Sequence, residues 1–107
     1  MITVTVYRHS GEYRGFRCEG HADYTQDGYD PVCAGVSALT VNAVNSIEQL
    51  TEDGMSAEAD EDGLVALELE EGCCEATKLL LDSMILGLEA IQENYGNDYI
   101  TLIFKEV

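Results

Sequence analysis

Residues 30–50 read DPVCAGVSALTVNAVNSIEQL. Asp30 suits a helix N-cap, because its carboxylate accepts from the unpaired N–H groups of a first turn. Pro31 then falls at the first helical position, where its missing N–H costs nothing and its fixed φ is already helical. No charged residue occurs from Val32 to Ile47, and Val32, Val36, Leu39, Ala43, Ile47 and Leu50 recur at helical spacing. The stretch predicts a helix from about Pro31 to Thr51. On its N-terminal side, residues 2–8 and 13–20 alternate as strands do, around a turn at Ser10-Gly11-Glu12. On its C-terminal side, Met55–Asp60 and Leu64–Glu70 form a second alternating pair around Glu61-Asp62-Gly63, a hairpin signal. Residues 73–95 then read as a second helix, with Leu80, Met84, Gly87, Leu88, Ile91 and Tyr95 as its seam and Gly96 at its end. Tyr99–Lys105 make a last strand. The order ββαββαβ is an α+β pattern: a single domain over residues 1–107, with a mainly antiparallel sheet packed with two α-helices.

Composition narrows the classes open to such a domain. At 107 residues and 46% hydrophobic content, one core is expected and wholesale disorder is not. No apolar run approaches a membrane span. The first residues carry neither a basic region nor a signal-type apolar block, so a cytoplasmic protein is expected. The formal charge is −16 with five basic residues, three of them Arg8, Arg14 and Arg17. Such a chain repels nucleic acid and anionic membranes at long range and attracts basic partners. Acidity that merely keeps the protein soluble is the plainer explanation. Cys18, Cys33, Cys73 and Cys74 lack metal-type spacing and read as reduced thiols, and no cofactor or metal is required. Asp60, Glu61 and Asp62 lack the glycine and distal glutamate of a helix-loop-helix calcium site, so a solvated hairpin turn is the better reading.

The helix start also carries chemistry. Cys33 is the third helical residue, beside N–H groups that favour an anion. His21 precedes it across a polar loop at residues 20–29, in which Gly20 and Gly28 are candidate hinges. Cysteine attacks carbonyls as the thiolate, which is scarce at neutral pH without help. A helix terminus stabilises a nearby charge by roughly 0.3–1 kcal/mol, while a ten-fold gain in thiolate needs about 1.4 kcal/mol. The Asp30 carboxylate works against that gain. An activated Cys33 therefore needs the His21 imidazole, and the pair is the candidate rather than the cysteine alone. Ser37, one turn further on the same face, is placed to orient the thiol or a substrate.

Each of these residues has a plainer role. A free cysteine is most often a small buried hydrophobe, and a lone histidine near a strand end is usually structural. Cys73 and Cys74 begin the second helix without a histidine nearby and read as structural. Cys18 reads as a buried strand residue, or as a resolving thiol if Cys33 does redox chemistry. His9 is expected at the surface. Tyr24 and Tyr29 either close over a peptide or pin the loop.

The residues Gly20-His21-Ala22, followed by Asp30-Pro31-Val32-Cys33-Ala34-Gly35-Val36-Ser37, resemble the signature of the bacterial ribosomal-processing cysteine protease (Prp) family. Length, acidity and element order are similar from end to end. The resemblance implies a cysteine endopeptidase with a Cys-His dyad, Cys33 as nucleophile and His21 as base, with supporting roles for Gly20, Asp30 and Ser37. It implies a homodimer with a mobile loop at about Ala22–Tyr29. It also implies a basic substrate, ribosomal large-subunit protein twenty-seven, whose N-terminal extension is removed during ribosome maturation. Pro31 departs from the aliphatic residue common at that position. Two other classes are a thiol redox enzyme using Cys33 and Cys18, and a non-catalytic acidic module that binds a basic ribosomal protein.

Overall fold

Ser10 and Gly11 both adopt left-handed backbone, φ 51 and 81. That makes the tight two-residue turn whose twist matches a hairpin. It joins β1 (Ile2–His9) to β2 (Glu12–Glu19), with His9 opposite Glu12. Glu12 thus belongs to the strand rather than to the predicted turn. The computed structural model describes residues 1–25 and 28–107; the part of the predicted loop at 26 and 27 lies outside them. The remaining elements are α1 (Pro31–Leu50), β3 (Met55–Ala59), β4 (Val65–Leu69), α2 (Glu75–Tyr95) and β5 (Ile100–Glu106). Each falls within two residues of its predicted bounds.

The strands form one sheet in the order β3-β4-β2-β1-β5. Three pairings are antiparallel, and β5 joins the outer side of β1 in parallel, Ile2 opposite Ile100 through Arg8 opposite Glu106. A parallel neighbour needs a crossover, and α2 supplies it. Ile2, Val4 and Val6 of β1, Phe16 and Cys18 of β2, and Val65, Leu67 and Leu69 of β4 are buried among the helix residues of one core. Arg17 and Glu19 stand on the opposite face, paired at 2.9 Å.

The α1 face is shifted from the predicted one. Val32, Val36, Thr40, Ala43 and Ile47 are buried, whereas Leu39 is half-buried and Leu50 is 73% exposed. Thr40 tolerates burial because its hydroxyl donates to the Val36 carbonyl at 2.9 Å. Leu39 instead faces α2. A Cβ on Gly87 would lie 2.8 Å from Leu39 Cδ1, and one on Gly35 would lie 3.1 Å from Ile91 Cδ1. These glycines let the two helices approach. The deeper face of α2 carries Thr77, Leu81, Met84, Ile85 and Leu88; the predicted seam shares Met84 and Leu88 with it and lacks Thr77, Leu81 and Ile85.

The turn between β3 and β4 is fixed by Asp60, whose Oδ1 accepts from the N–H groups of Asp62 at 2.9 Å and Leu64 at 3.0 Å. At the start of α2, Cys74 caps the helix through a 3.5 Å contact from the Thr77 N–H, while its own N–H donates to Asp53. Burial, with the nearby carboxylates of Asp53 and Glu12, pushes the Cys73 thiol up to about 11. At neutral pH Cys73 stays protonated, as a structural residue would.

Candidate active site

The site begins where β2 runs out at Gly20. This residue has φ +94, and a Cβ here would collide with the Met1 carbonyl oxygen. Only glycine fits both constraints. The chain then presents His21 with an exposed side chain. The β3–β4 turn borders it: a Cβ on Gly63 would sit 3.0 Å from the Gly20 oxygen and 3.8 Å from His21 Cε1.

Ala22 turns inward and is buried, and its N–H donates to Cys33 Sγ at 3.3 Å. This bond brings the chain segment that carries His21 against the cysteine of the helix start, two parts of the sequence eleven residues apart. Cys33 is half-buried in the first turn of α1. Ser37 follows one turn later with an exposed side chain.

Asp30 joins the loop to the helix with one carboxylate. Its Oδ1 accepts from the N–H groups of Val32 at 2.9 Å and Cys33 at 3.2 Å. Its Oδ2 accepts from Tyr24 at 3.0 Å and, more weakly, Thr25 at 3.5 Å. Partial burial opposes ionisation, but the four N–H donors, led by Cys33, outweigh it and hold the Asp30 carboxyl below its usual range. In the unfolded chain this carboxyl titrates near 3.9, as a roughly typical aspartate does. The lowered folded value means that its contribution to stability is complete above about pH 4. The contribution is lost as pH falls further, through the folded value. Wild type is therefore expected to lose melting temperature below pH 4 by more than Asp30→Asn, which keeps a capping oxygen but does not titrate. Asp30→Ala, melted at pH 7, is expected to lose about 1 kcal/mol through the cap alone. Parallel melting curves of wild type and Asp30→Asn down to pH 3 contradict this account.

The loop has a second anchor. The Tyr24 ring meets Tyr95 edge-on at 5.1 Å between centroids and Tyr99 at 5.0 Å. Of the two predicted roles for Tyr24, the structure displays pinning. Tyr29 is 75% exposed, and its carbonyl accepts from the Thr25 hydroxyl at 3.0 Å. Gly63, Tyr95, Tyr99 and the Ala22 N–H join these residues in space without any signal in the sequence that links them. Cys18 lies in the core beneath it; burial first, then Cys33 and Glu19, push its thiol up to about 11. All four cysteines are free. A concavity of about 530 Å³ lies on the open face of the sheet around Tyr7, Arg17, Ser56 and Glu68, and neither His21 nor Cys33 lines it.

A family profile described as Cysteine protease Prp matches residues 1–101. The chain belongs to the Prp family of cysteine proteases. The ribosomal processing cysteine protease Prp of Staphylococcus aureus is 33% identical over 107 residues, covering 98% of this chain and 100% of the relative. The Prp of Bacillus subtilis is 33% identical over 104 residues, covering 92% and 93%. Solved Prp structures share the architecture. The Staphylococcus aureus enzyme with a covalently linked product peptide has a TM-score of 0.89 at 33% identity, covering 98% of this chain and all of that one. The same enzyme with a substrate peptide has a TM-score of 0.85 at 32% identity, with 98% of this chain covered. Prp membership makes this chain an enzyme of the cysteine-protease class with the ββαββαβ fold of its relatives. No helix among the described residues is long and apolar enough to cross a membrane.

Proposed function

We propose that residues 1–107 act as one cysteine endopeptidase domain in which Cys33 is the nucleophile and His21 the general base and acid. The reading rests chiefly on the 3.3 Å bond from the Ala22 N–H to Cys33 Sγ, since it brings the residue after His21 onto the sulfur. The Cys33 thiolate attacks the scissile carbonyl and forms a C–S bond, and the carbonyl oxygen becomes the oxyanion of a tetrahedral intermediate. The peptide C–N bond then breaks, and His21 hands its proton to the leaving amine. Water, deprotonated by His21, hydrolyses the thioester and regenerates the thiol. Asp30 supports this centre by fixing helix start and loop together, Gly20 by making the approach of β2 to Met1 possible, and Ser37 by offering a hydroxyl one turn from the sulfur.

The substrate in this reading is ribosomal large-subunit protein twenty-seven with an N-terminal extension, processed in the cytoplasm by a homodimer. The relatives' role in ribosomal processing supports the first part. The charge of −16 suits a basic partner and speeds encounter through long-range attraction. Redox exchange between Cys33 and Cys18 is the weaker reading, because a buried thiol held near 11 supplies little thiolate. The test is the intact mass of the extended ribosomal protein after incubation with the enzyme, before and after carboxamidomethylation of its thiols. One new mass with the untreated enzyme only, at the size of a shortened chain, is expected. Binding without cleavage by either preparation points instead to an acidic holding module.

A further inference from the structure

We propose that Tyr24 is a positioning residue for the reaction, acting through the backbone to hold the Ala22 N–H against the Cys33 sulfur. The inference rests on the reading of Cys33 as nucleophile and adds to it what keeps the thiol's surroundings in place. Ala22 and Tyr24 are separated by one residue, Asp23, whose φ of 56 is left-handed. Aspartate enters that region more readily than most side chains, and at Asp23 the neighbours on both sides are fixed. On one side Ala22 is buried and bonded to Cys33 Sγ. On the other, Tyr24 is held twice: its N–H by Asp30 Oδ2 at 3.0 Å, and its ring by Tyr95 and Tyr99 at 5.1 and 5.0 Å.

The ring contacts reach a different part of the molecule from the Asp30 bond. Tyr95 is the last residue of α2 and Tyr99 immediately precedes β5. They therefore fasten the loop to the crossover, independently of α1. Asp30 and the Ala22–Cys33 bond fix the loop to the first turn of α1; the tyrosine clasp fixes it to the body of the fold. Edge-to-face contact uses the ring, so the hydroxyl of Tyr24 is dispensable. An N–H aimed at sulfur favours thiolate over thiol, and losing its aim lowers the reactive fraction.

The test compares wild type, Tyr24→Ala, Tyr24→Phe and the double variant Tyr24→Ala/Tyr95→Ala. Two readouts are taken at one fixed pH. The first is the rate at which iodoacetamide modifies Cys33, followed by mass spectrometry of the peptide that contains it. The second is kcat and KM on the extended ribosomal protein. Tyr24→Ala is expected to slow both alkylation and kcat by about ten-fold, the scale of two lost aromatic contacts. Tyr24→Phe should retain wild-type values, and Tyr95→Ala should add little to Tyr24→Ala. Unchanged or faster alkylation of Cys33 in Tyr24→Ala, or a rise in KM alone, overturns the proposal. The nucleophile reading fails separately, if Cys33→Ala still cleaves; the alkylation ratio of Tyr24→Ala to wild type then still decides whether the clasp holds the thiol's surroundings.

Discussion

Cys33→Ala is expected to lower cleavage of an extended ribosomal protein by about 10⁴-fold or more, because in nucleophilic catalysis the missing nucleophile takes the whole covalent route with it. The loss should come with little unfolding. Cys33 is half-buried rather than core, and alanine suits a helical first turn. What the variant loses structurally is one acceptor, the sulfur that takes the Ala22 N–H. Leaving that part-buried donor without a partner costs about 1 kcal/mol, a fall of roughly 4–8 °C in a domain of this size. Cys33→Ser separates the two effects. Its oxygen can still accept from Ala22, so its melting should lie closer to wild type, yet turnover should stay low, since a serine hydroxyl has no thiolate to offer. His21→Ala should fall by roughly 10²–10⁴, the range for a positioned acid–base group. Product formation by Cys33→Ala at a wild-type rate would remove the sulfur from the reaction and put the nucleophile elsewhere in the chain; binding without product by wild type and variant alike would return the chain to the holding-module reading.

The sequence and the structure agree best where the signal is local. Asp30 and Pro31 mark the start of α1, and the structure has Asp30 accepting from Val32 and Cys33 as a cap should. Alternation in β1 and β4 sorts their buried and open faces correctly. Agreement fades where the decisive contact is distant. Nothing in Ile100–Glu106 states that its partner is β1 or that the pair is parallel; that follows from where α2 carries the chain. Periodicity alone nominated Leu39 and Leu50 for the α1 core. A helix touching both a sheet and a second helix has a wide buried face, and Thr40 joins it by satisfying its hydroxyl internally.

The site divides in the same way. Among the candidate residues, His21, Asp30, Cys33 and Ser37 stand out in the sequence because each side chain carries chemistry, and Gly20 stands out through the motif it shares with His21. The Ala22 N–H does not, since every residue except proline has one and its use depends on where the backbone points. Gly63 is likewise silent in sequence beyond its turn signal, yet it borders His21 across the sheet. Tyr24 was visible, but its partners Tyr95 and Tyr99 lie some seventy residues away. Asp30 shows a further difference. In sequence it is a cap that opposes a nearby thiolate. In the structure it spends its charge on four N–H groups, so its effect on the sulfur is that of an already compensated anion.

Gly15→Ala is expected to cost more than about 3 kcal/mol and to lower the melting temperature by roughly 10 °C or more, if the protein folds at all. The reason starts at the bulge. Tyr7 pairs with Gly15 and Arg8 with Tyr13, which leaves Arg14 as the extra residue of β2. Gly15 emerges with φ +155, and on its other side it faces Glu68 of β4. A Cβ there would run into the Leu67 carbonyl oxygen, and would come within 3.0 Å of Leu67 C and 3.2 Å of Glu68 Cα. These are backbone atoms, so no side-chain rotation relieves the collision; β4 itself must move. Val65, Leu67 and Leu69 move with it, all buried, as does the turn whose Gly63 borders His21. Gly11→Ala is the matched control. Gly11 also has positive φ, at +81, but a Cβ there meets nothing within 4 Å, so only the conformational cost of about 1 kcal/mol remains. Thermal melts of the two variants separate strain from collision. Equal, small losses would mean that β2 accommodates a side chain at the bulge. A large loss for Gly15→Ala alone, with hydrogen exchange quickened along β4, would tie the pairing of β2 with β4 to the stability of the wall beside His21.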